Sequence, residues 1–358
     1  GDINYYLPSH EQSAGHAASG YAKSSGKPGI SIVTSGPGFT NSLTPLTDAM
    51  NDSVPFILLS GQVPLSSMGT QAFQECPSVD MSKPVTKWSY CVEDIRDLPN
   101  VIDEAFYIST SGKPGSVHID LPKCITSGKL NGKILNNKDF GKKQNNIKKI
   151  PDNKLNEISK LINNSKKPVI LAGQGCNDSY LLLRKFARKS NIPVTTTIHA
   201  MGCFDETKPL SLEFLGMHGH AAANYAIQDS DLIIALGTRF DDRITGKIET
   251  FAPKAFEAFK NGNGGIIHVN INDKEIKYII DSHYNFNMDC KDFLEQINPF
   301  LEFKLRSEWI NKIMDWKLKY PFKYNLNEKL KTQKIIEEIN NFFLENKFEN
   351  YFVSTGVG

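Results

Sequence analysis

Three groups of residues in this 358-residue chain have the types and spacing for chemistry. The first is Leu7-Pro8-Ser9-His10-Glu11-Gln12, running into Ser13-Ala14-Gly15-His16-Ala17-Ala18-Ser19-Gly20-Tyr21-Ala22-Lys23. A proline stop followed by a helix start puts the carboxylate of Glu11 at the positive end of a helix dipole, which stabilises an acid. Ser9 or Ser13 is the expected cap. Ala14, Gly15, Ala17, Ala18 and Gly20 let another backbone or a flat ligand come close. Taken alone, the pattern is equally that of an acidic cap on an ordinary helix. The second group is Met68-Gly-Thr-Gln-Ala-Phe-Gln-Glu75, where Phe73 and Gln74 set an aromatic ring beside a neutral amide, or where a loop simply packs a ring. The third lies further on. Gly173-Gln-Gly175 follows an apolar run but lacks the third glycine of a dinucleotide fingerprint. His218-x-His220 has no third ligand at a metal-binding spacing, so its Gly and Ala neighbours are read as allowing a backbone to approach a cofactor. Asp241, Asp242 and Arg243 have a plain reading as surface ion pairs, each worth little.

The elements that must carry these groups alternate. Strands are expected over residues 29–35, 55–62 and 116–121, short and β-branched or Leu-rich between Gly and Pro. Helices are expected over 39–51 and 97–111, the second with an apolar stripe of Leu98, Ile102, Ala105, Phe106 and Ile108. Gly61-Gln-Val-Pro64 follows a strand directly and so falls at the carboxyl edge, where such sheets bind ligands. A second series comes after it: helix 152–163, strand 168–175 ending in the glycine turn, helix 179–189, and strands 193–198, 231–237 and 266–271. This alternation predicts an α/β protein of two doubly wound parallel-sheet domains. The expected division is a first domain over 1–125 and a Lys- and Asn-rich linker over 126–150. A second domain over 151–300 and a connector with the start of a further domain over 301–358 complete it. In the last part Trp309 and Trp316 are packing anchors. Residues 332–346 make an amphipathic helix through Ile335, Ile336, Ile339, Phe342 and Phe343, and 351–358 a strand.

Composition bounds the function. With 41 basic and 39 acidic residues the net charge is +2, which gives no support for nucleic-acid binding. No run of about 18 apolar residues suggests a membrane span. The six cysteines, Cys76, Cys91, Cys124, Cys176, Cys203 and Cys290, form no Cys-x-x-Cys pair, which argues against structural zinc. No signal peptide is visible.

The Glu11 stretch, followed by Thr34-Ser-Gly-Pro-Gly-Phe-Thr-Asn41, closely resembles the pyrimidine-binding domain of thiamine-diphosphate enzymes. Among these enzymes, the chain is most similar to the acetohydroxyacid synthase (acetolactate synthase) family. The resemblance continues through Met68–Glu75, Pro84-Val-Thr-Lys87-Trp88, Thr110-Ser-Gly-Lys-Pro-Gly115 and the block from Leu215 to Gly246. It implies thiamine diphosphate, FAD and Mg²⁺ as cofactors, with the Mg²⁺ ligands in a third domain beyond this chain. By resemblance Glu11 contacts a pyrimidine ring nitrogen from an apolar pocket that raises its pKa, so that the two can share a proton. Phe73 and Gln74 would face the cofactor and the substrate carbonyl, the amide serving a developing oxyanion. Lys113, Gly173, Gly175, His218, Gly219, Asn224, Gly237, Thr238, Arg239, Asn270 and Asp289 would lie along FAD. Met217, Asp242 and Arg243 would face the site entrance, where an arginine can hold the carboxylate of a second 2-oxo acid. The chain departs from the family at Gln71 and Asn270, where acids are usual, and at Lys113, where arginine is usual. The implied reaction decarboxylates pyruvate and transfers the two-carbon unit to a second 2-oxo acid. The implied partners are a second copy of the chain and a regulatory subunit. The implied compartment is the cytoplasm in a bacterium and a plastid or mitochondrion in a eukaryote. The chain is expected to be a fragment lacking the extreme N-terminus and the diphosphate-binding domain, and so inactive in isolation. Two alternatives stay open: another flavin-containing enzyme of the same superfamily, such as pyruvate oxidase or a carboligase, and a non-catalytic FAD-binding module.

Overall fold

A computed structural model describes residues 3–130, 148–325, 330–348, 351 and 353–354. Most of the expected linker and most of the expected strand 351–358 lie outside the described residues. The chain divides between Ile147 and Lys148 into two compact units.

The first unit opens with α1 (Glu11–Ser25). Its cap is His10, whose Nδ1 accepts from the Gln12 N–H at 3.1 Å, and not Ser9 or Ser13 as expected. The helix stops at Gly26, left-handed at φ +69°. Then come β1 (Gly29–Val33), α2 (Pro37–Asn41), α3 (Leu43–Asn51), β2 (Phe56–Gln62), α4 (Ser78–Ser82), β3 (Trp88–Cys91), α5 (Leu98–Thr110), β4 (Ser116–Pro122) and α6 (Lys123–Thr126). The helix expected over 39–51 is two helices broken at Ser42. Pro45 has no N–H for the Asn41 carbonyl, and a fresh start at Leu43 puts its ring in a first turn, where it is tolerated. Among the described residues the strands form a parallel sheet in the order β1-β2-β4-β3.

Alternation along β2 fills both faces of this sheet. Phe56 and Leu58 pack with Phe39, Leu46 and Ala49, while Ile57 packs with Val101, Ala105, Val117 and Ile119. Full burial of such side chains contributes about 1.5–3 kcal/mol each. On α5 the buried stripe is Val101, Ala105 and Ser109; Phe106, expected inside, is exposed.

The second unit runs α7 (Asp152–Asn164), β5 (Pro168–Ala172), α8 (Tyr180–Ser190), β6 (Val194–Thr196), β7 (Ser211–Phe214), α9 (Ala221–Asp229) and β8 (Leu232–Leu236). It continues with α10 (Asp242–Thr245), α11 (Pro253–Lys260), β9 (Gly265–Asn270), β10 (Tyr284–Asn287), α12 (Cys290–Ile297), α13 (Ser307–Lys319) and α14 (Thr332–Glu345). The strands are parallel in the order β10-β9-β8-β5-β6-β7. Counted from β5 as one, this is the 3-2-1-4-5-6 order of dinucleotide-binding sheets, with its switch point between β5 and β8. Ile170, Ala172, Ile234 and Ile267 face a core with Ile158, Phe186 and Phe293. Val169, Leu171, Ile233 and Ala235 face another with Ala222, Ala255, Trp309 and Ile313.

The segment read as a connector therefore holds a helix, α13, that is part of this core. Trp309 anchors it, donating from Nε1 to the Pro168 carbonyl at 3.1 Å. Just before it, buried Arg306 donates to the carbonyls of Ser165, Ser190 and Ile162, closing the C-termini of α7 and α8. On α14, Ile335, Ile336, Ile339 and Phe342 are exposed. Among the described residues no helix is long and apolar enough to cross a membrane.

Candidate functional site

In a parallel sheet the strand ends, and the turns after them, gather along one edge. In the first unit that edge collects β1 with the Ser35-Gly36-Pro37 turn, the start of α1, and the loop after β2. Pro37 opens α2 at a position that needs no N–H, and α2 ends on Asn41. Asn41 Nδ2 donates to Glu11 Oε2 at 3.1 Å. Glu11 is half-buried, and its carboxyl is held below the ordinary carboxylate range, first by the Asn41 amide and then by its own backbone N–H. The expected raised pKa is therefore reversed in this chain. Burial is too slight to outweigh two hydrogen bonds to the ionised form.

Gln74 reaches the same turn from the other side. Gly36 has φ +58°, and a Cβ there would stand 2.8 Å from the Gln74 carbonyl oxygen. Gln74 is itself left-handed at φ +63°, as is Gln71 at φ +60°. Such residues cost about 1–3 kcal/mol each and persist only where surrounding structure imposes them. Glu75 imposes it here. Its carboxylate accepts the N–H groups of Gly69 and of Ala72, the latter at 3.1 Å, and its pKa is lowered chiefly by the Gly69 bond. Ser35 Oγ donates to Gln74 Oε1 at 3.5 Å. Phe73, beside Gln74, is 89% exposed. The structure thus groups Glu11, Asn41, Ser35, Gly36 and Gln74 on one edge. Lys113, in the loop entering β4, stands at the opposite, amino edge.

At the second unit's switch point, Gly173 follows β5 and Gly237 follows β8. An added Cβ on Gly173 would lie 2.2 Å from the Gly237 carbonyl, so these glycines serve the packing of the two turns on each other. Gly219 is likewise pressed on its own loop, where an added Cβ would lie 2.4 Å from the Phe214 carbonyl oxygen, and Ala222 and Ala223 belong to the core. Gly219 and these alanines thus already pack against the chain itself. Gly175, just past the turn, is exposed. The Thr238 carbonyl accepts from His268 Nε2 at 2.8 Å and Asn270 Nδ2 at 3.0 Å. Asn270 Oδ1 also accepts the Asn272 N–H, so this amide is spent on shaping the turn. Asn224 is spent similarly, donating to the Gly216 and His220 carbonyls at 3.0 and 3.2 Å. Near these strand ends the buried Thr196 Oγ1, closing β6, and His268 Nδ1 have no hydrogen-bond partner among the described residues. Burial holds the His268 pKa below its ordinary value, partly offset by the Thr238 bond.

His220 is buried and caps α9, its Nδ1 accepting the Ala222 N–H, while His218 is exposed. Among the described residues no group of three or more His, Cys, Asp or Glu could hold a metal ion. Met217 and Arg243 do meet: the Met217 N–H donates to the Arg243 carbonyl at 2.9 Å and Arg243 Nη1 to Met217 Sδ at 3.5 Å. Asp242 is exposed with its Oδ2 3.9 Å from Arg243 Nε, and half-exposed Arg239 pairs with Asp241 at 3.3 Å. Asp289 caps α12 by accepting the Lys291 N–H. Sequence reasoning missed Asn41 as the partner of Glu11, Glu75 as the loop's clasp and the bare atoms of Thr196 and His268. A signal for Asn41 existed, since a polar residue ends a short proline-started helix beside the glycine turn.

Comparison with known proteins decides the family. Residues 1–82 match the N-terminal TPP binding domain of thiamine pyrophosphate enzymes, and residues 155–297 match their central domain. The acetolactate synthase catalytic subunit of Saccharomyces cerevisiae, a mitochondrial protein, is 42% identical over 99% of this chain and 54% of its own length. The chain belongs to the thiamine pyrophosphate enzymes. The mitochondrial catalytic subunit of Aspergillus candidus is 43% identical over 99% of this chain and 54% of its own length. The chloroplastic acetolactate synthase of Arabidopsis thaliana is 39% identical over 99% and 52%. The chain spans about half the length of the curated relatives it matches. Within the thiamine pyrophosphate enzymes, the Glu11 edge falls in the stretch matched by the TPP binding domain and the switch point in the stretch matched by the central domain.

Proposed function

We propose that this chain is the cofactor-binding half of an acetohydroxyacid synthase. The enzyme joins a two-carbon unit from pyruvate to a second 2-oxo acid, pyruvate or 2-oxobutyrate, in branched-chain amino-acid biosynthesis. The observation that carries this reading is the convergence of Glu11, Asn41 and Gln74 on one edge of a chain about 40% identical to acetolactate synthases along 99% of its length. Bound thiamine diphosphate supplies the carbon nucleophile for decarboxylation and transfer.

The chain's own residues supply the rest. Asn41 occupies Oε2 of Glu11 and leaves Oε1 to hold or yield a proton at a ring nitrogen. An aromatic ring seated on this half-buried carboxyl desolvates it and raises the depressed pKa toward a shareable proton. Gln74 has its amide fixed beside Ser35, where its N–H groups can serve a carbonyl oxygen that gains charge. Exposed Arg243, seated on Met217, offers a cation to the carboxylate of the second acid. FAD fits the second unit on three counts: the strand order, exposed Gly175 at the switch point, and the bare Thr196 hydroxyl. Gly173, Gly175, Gly237, Thr238 and Arg239 would hold it, with His218, Gly219, Asn224 and Asp289 along its rim. Asn270 would act through the Thr238 turn. Mg²⁺ has no ligand group among the described residues, and no step here runs through it.

The protein is proposed to work as a homodimer or larger assembly with a regulatory subunit, as the relatives' designation "catalytic subunit" implies. Their organelles are the compartments to test first. Product analysis of the full protein with pyruvate, thiamine diphosphate, Mg²⁺, FAD and inorganic phosphate in aerated buffer tests the reading. Acetolactate is expected. Acetyl phosphate with peroxide, or bound flavin without turnover, would replace it with an oxidase or a binding module.

A further inference from the structure

Beneath the Gln74 loop the first unit buries a carboxylate that the proposed chemistry does not use. Asp120, on β4, is 1% exposed. Its Oδ1 accepts from Ser60 Oγ at 2.6 Å, and its Oδ2 accepts from Gln62 Nε2 at 2.9 Å and from Ser78 Oγ. His118, two residues earlier on the same face of β4, extends the chain: Nε2 lies 2.7 Å from Ser60 Oγ and Nδ1 lies 2.7 Å from Ser82 Oγ. Ser82 in turn meets Ser89 at 2.8 Å. Ser60 has one hydroxyl proton and gives it to Asp120. His118 therefore donates from Nε2 to Ser60 and turns Nδ1, its acceptor nitrogen, toward Ser82 Oγ. The donors of His118 Nε2, Ser60, Gln62 and Ser78 all run toward Asp120, an arrangement that strengthens each of those bonds. The set looks like a hydrolytic triad, but the carboxylate touches the serine and not the imidazole, and all three groups are sealed in the core.

Burying a carboxylate among polar groups is a poor way to stabilise a core, because an apolar filling of the same shape does as well or better. What Asp120 does have is a hold on the loop. Gln62 uses the same amide nitrogen to donate to the Cys76 carbonyl at 2.8 Å, and Ser78 opens α4 two residues on. Cys76 and Ser78 belong to the stretch of chain that leaves Gln74. Gln74 is left-handed and wedged against Gly36, so its backbone needs an anchor on each side. Glu75 ties it to Gly69 and Ala72, and the Gln62–Asp120–Ser78 cluster ties the Cys76–Ser78 stretch to the sheet.

We propose that Asp120 is a positioning residue for Gln74. It fixes Gln62 and Ser78, and through them the segment that sets the Gln74 amide on the carboxyl edge. This rests on the substrate-facing role proposed for Gln74. The test compares Asp120→Asn and Gln62→Met with wild type in the full protein. Gln62→Met keeps the volume and leaves Asp120 two of its donors, so it serves if Asp120→Asn does not fold.

Hydrogen exchange of the amides in residues 69–76 should quicken by at least about tenfold in the variants while the α1 amides keep their wild-type rates. Turnover with pyruvate should fall by about 10²-fold, the cost of a misplaced group, with the KM for thiamine diphosphate unchanged because Glu11 and Asn41 lie outside the cluster. Folded variants with wild-type loop exchange and wild-type turnover, or with only a lower melting temperature, overturn the proposal. If wild type itself forms no acetolactate, the reading of the site fails instead, and the exchange data still decide whether Asp120 holds the loop.

Discussion

Asn41 and Glu11 stand 30 residues apart and meet at the carboxyl edge of one sheet, amide to carboxylate, at 3.1 Å. The contact keeps the acid ionised and uses one of its two oxygens. Asn41→Ala removes the first cause of the depressed Glu11 pKa, so the carboxyl should titrate at higher pH than in wild type. Carbon-13 NMR titration of the labelled side chain reads this directly. An unchanged midpoint would show that the amide does not govern the acid.

The Gly36 turn makes a sharper prediction, because two independent constraints act there. A side chain at φ +58° is strained, and its Cβ would strike the Gln74 carbonyl. Gly36→Ala should destabilise the first unit by about 1–3 kcal/mol in chemical denaturation and reduce turnover more than it reduces cofactor binding. A variant with wild-type stability and turnover would mean that the turn relaxes freely.

Arg306 closes two helices from a buried position. Arg306→Ala leaves the carbonyls of Ser165, Ser190 and Ile162 without their donor, and each such loss costs about 1–3 kcal/mol. The second unit should lose at least about 3 kcal/mol on that basis. Arg306→Lys, which keeps charge but not the planar fork, should recover only part of it. Equal stability of Lys and wild type would contradict the account.

Burial lowers the pKa of two histidines in the second unit, half-buried His283 and fully buried His268, and His268 gives the cleaner test of the unit's pH dependence. Burial is the larger cause of its lowered pKa, so the folded state holds the neutral ring, with the proton on Nε2 facing Thr238. The unfolded chain binds the extra proton near the ordinary imidazole value of about 6.5. Stability from this residue is therefore complete above that value and drains away as pH falls toward the lowered folded one. His268→Leu should flatten the slope of unfolding free energy against pH in that window. A slope equal to wild type would assign the dependence to other groups.

How much of this was legible in the sequence varies with the physics of each element. Pro168–Ala172 and Leu232–Leu236 are unbroken apolar runs buried on both faces, and such runs announce central parallel strands. Trp88–Cys91 and Ser211–Phe214 are short strands on the edges of their sheets, and their mixed residues carry no period to read. Phe106 sits at helical spacing with the core of α5, yet the helix is rotated so that Val101 takes the inside. Glu11 was legible from its neighbours because a cap, a helix start and small residues are local features. Asn41 left a local signal, but its pairing with Glu11 did not; His118 and Asp120 left none, since their Ser60 partner lies 58 and 60 residues away and only the strand order brings them together.

The central claim is that the carboxylate at the head of α1 handles the proton on which the proposed reaction depends. Steady-state turnover of pyruvate by the full protein carrying Glu11→Gln, with saturating thiamine diphosphate, tests it most directly. The side chain keeps its size and can still bond Asn41, but it cannot take or share a proton. The account predicts a fall in kcat of at least about 10²-fold, the low end for a general acid–base group. Turnover within about twofold of wild type would contradict it, since a twofold change is far less than one pKa unit's worth of energy, about 1.4 kcal/mol.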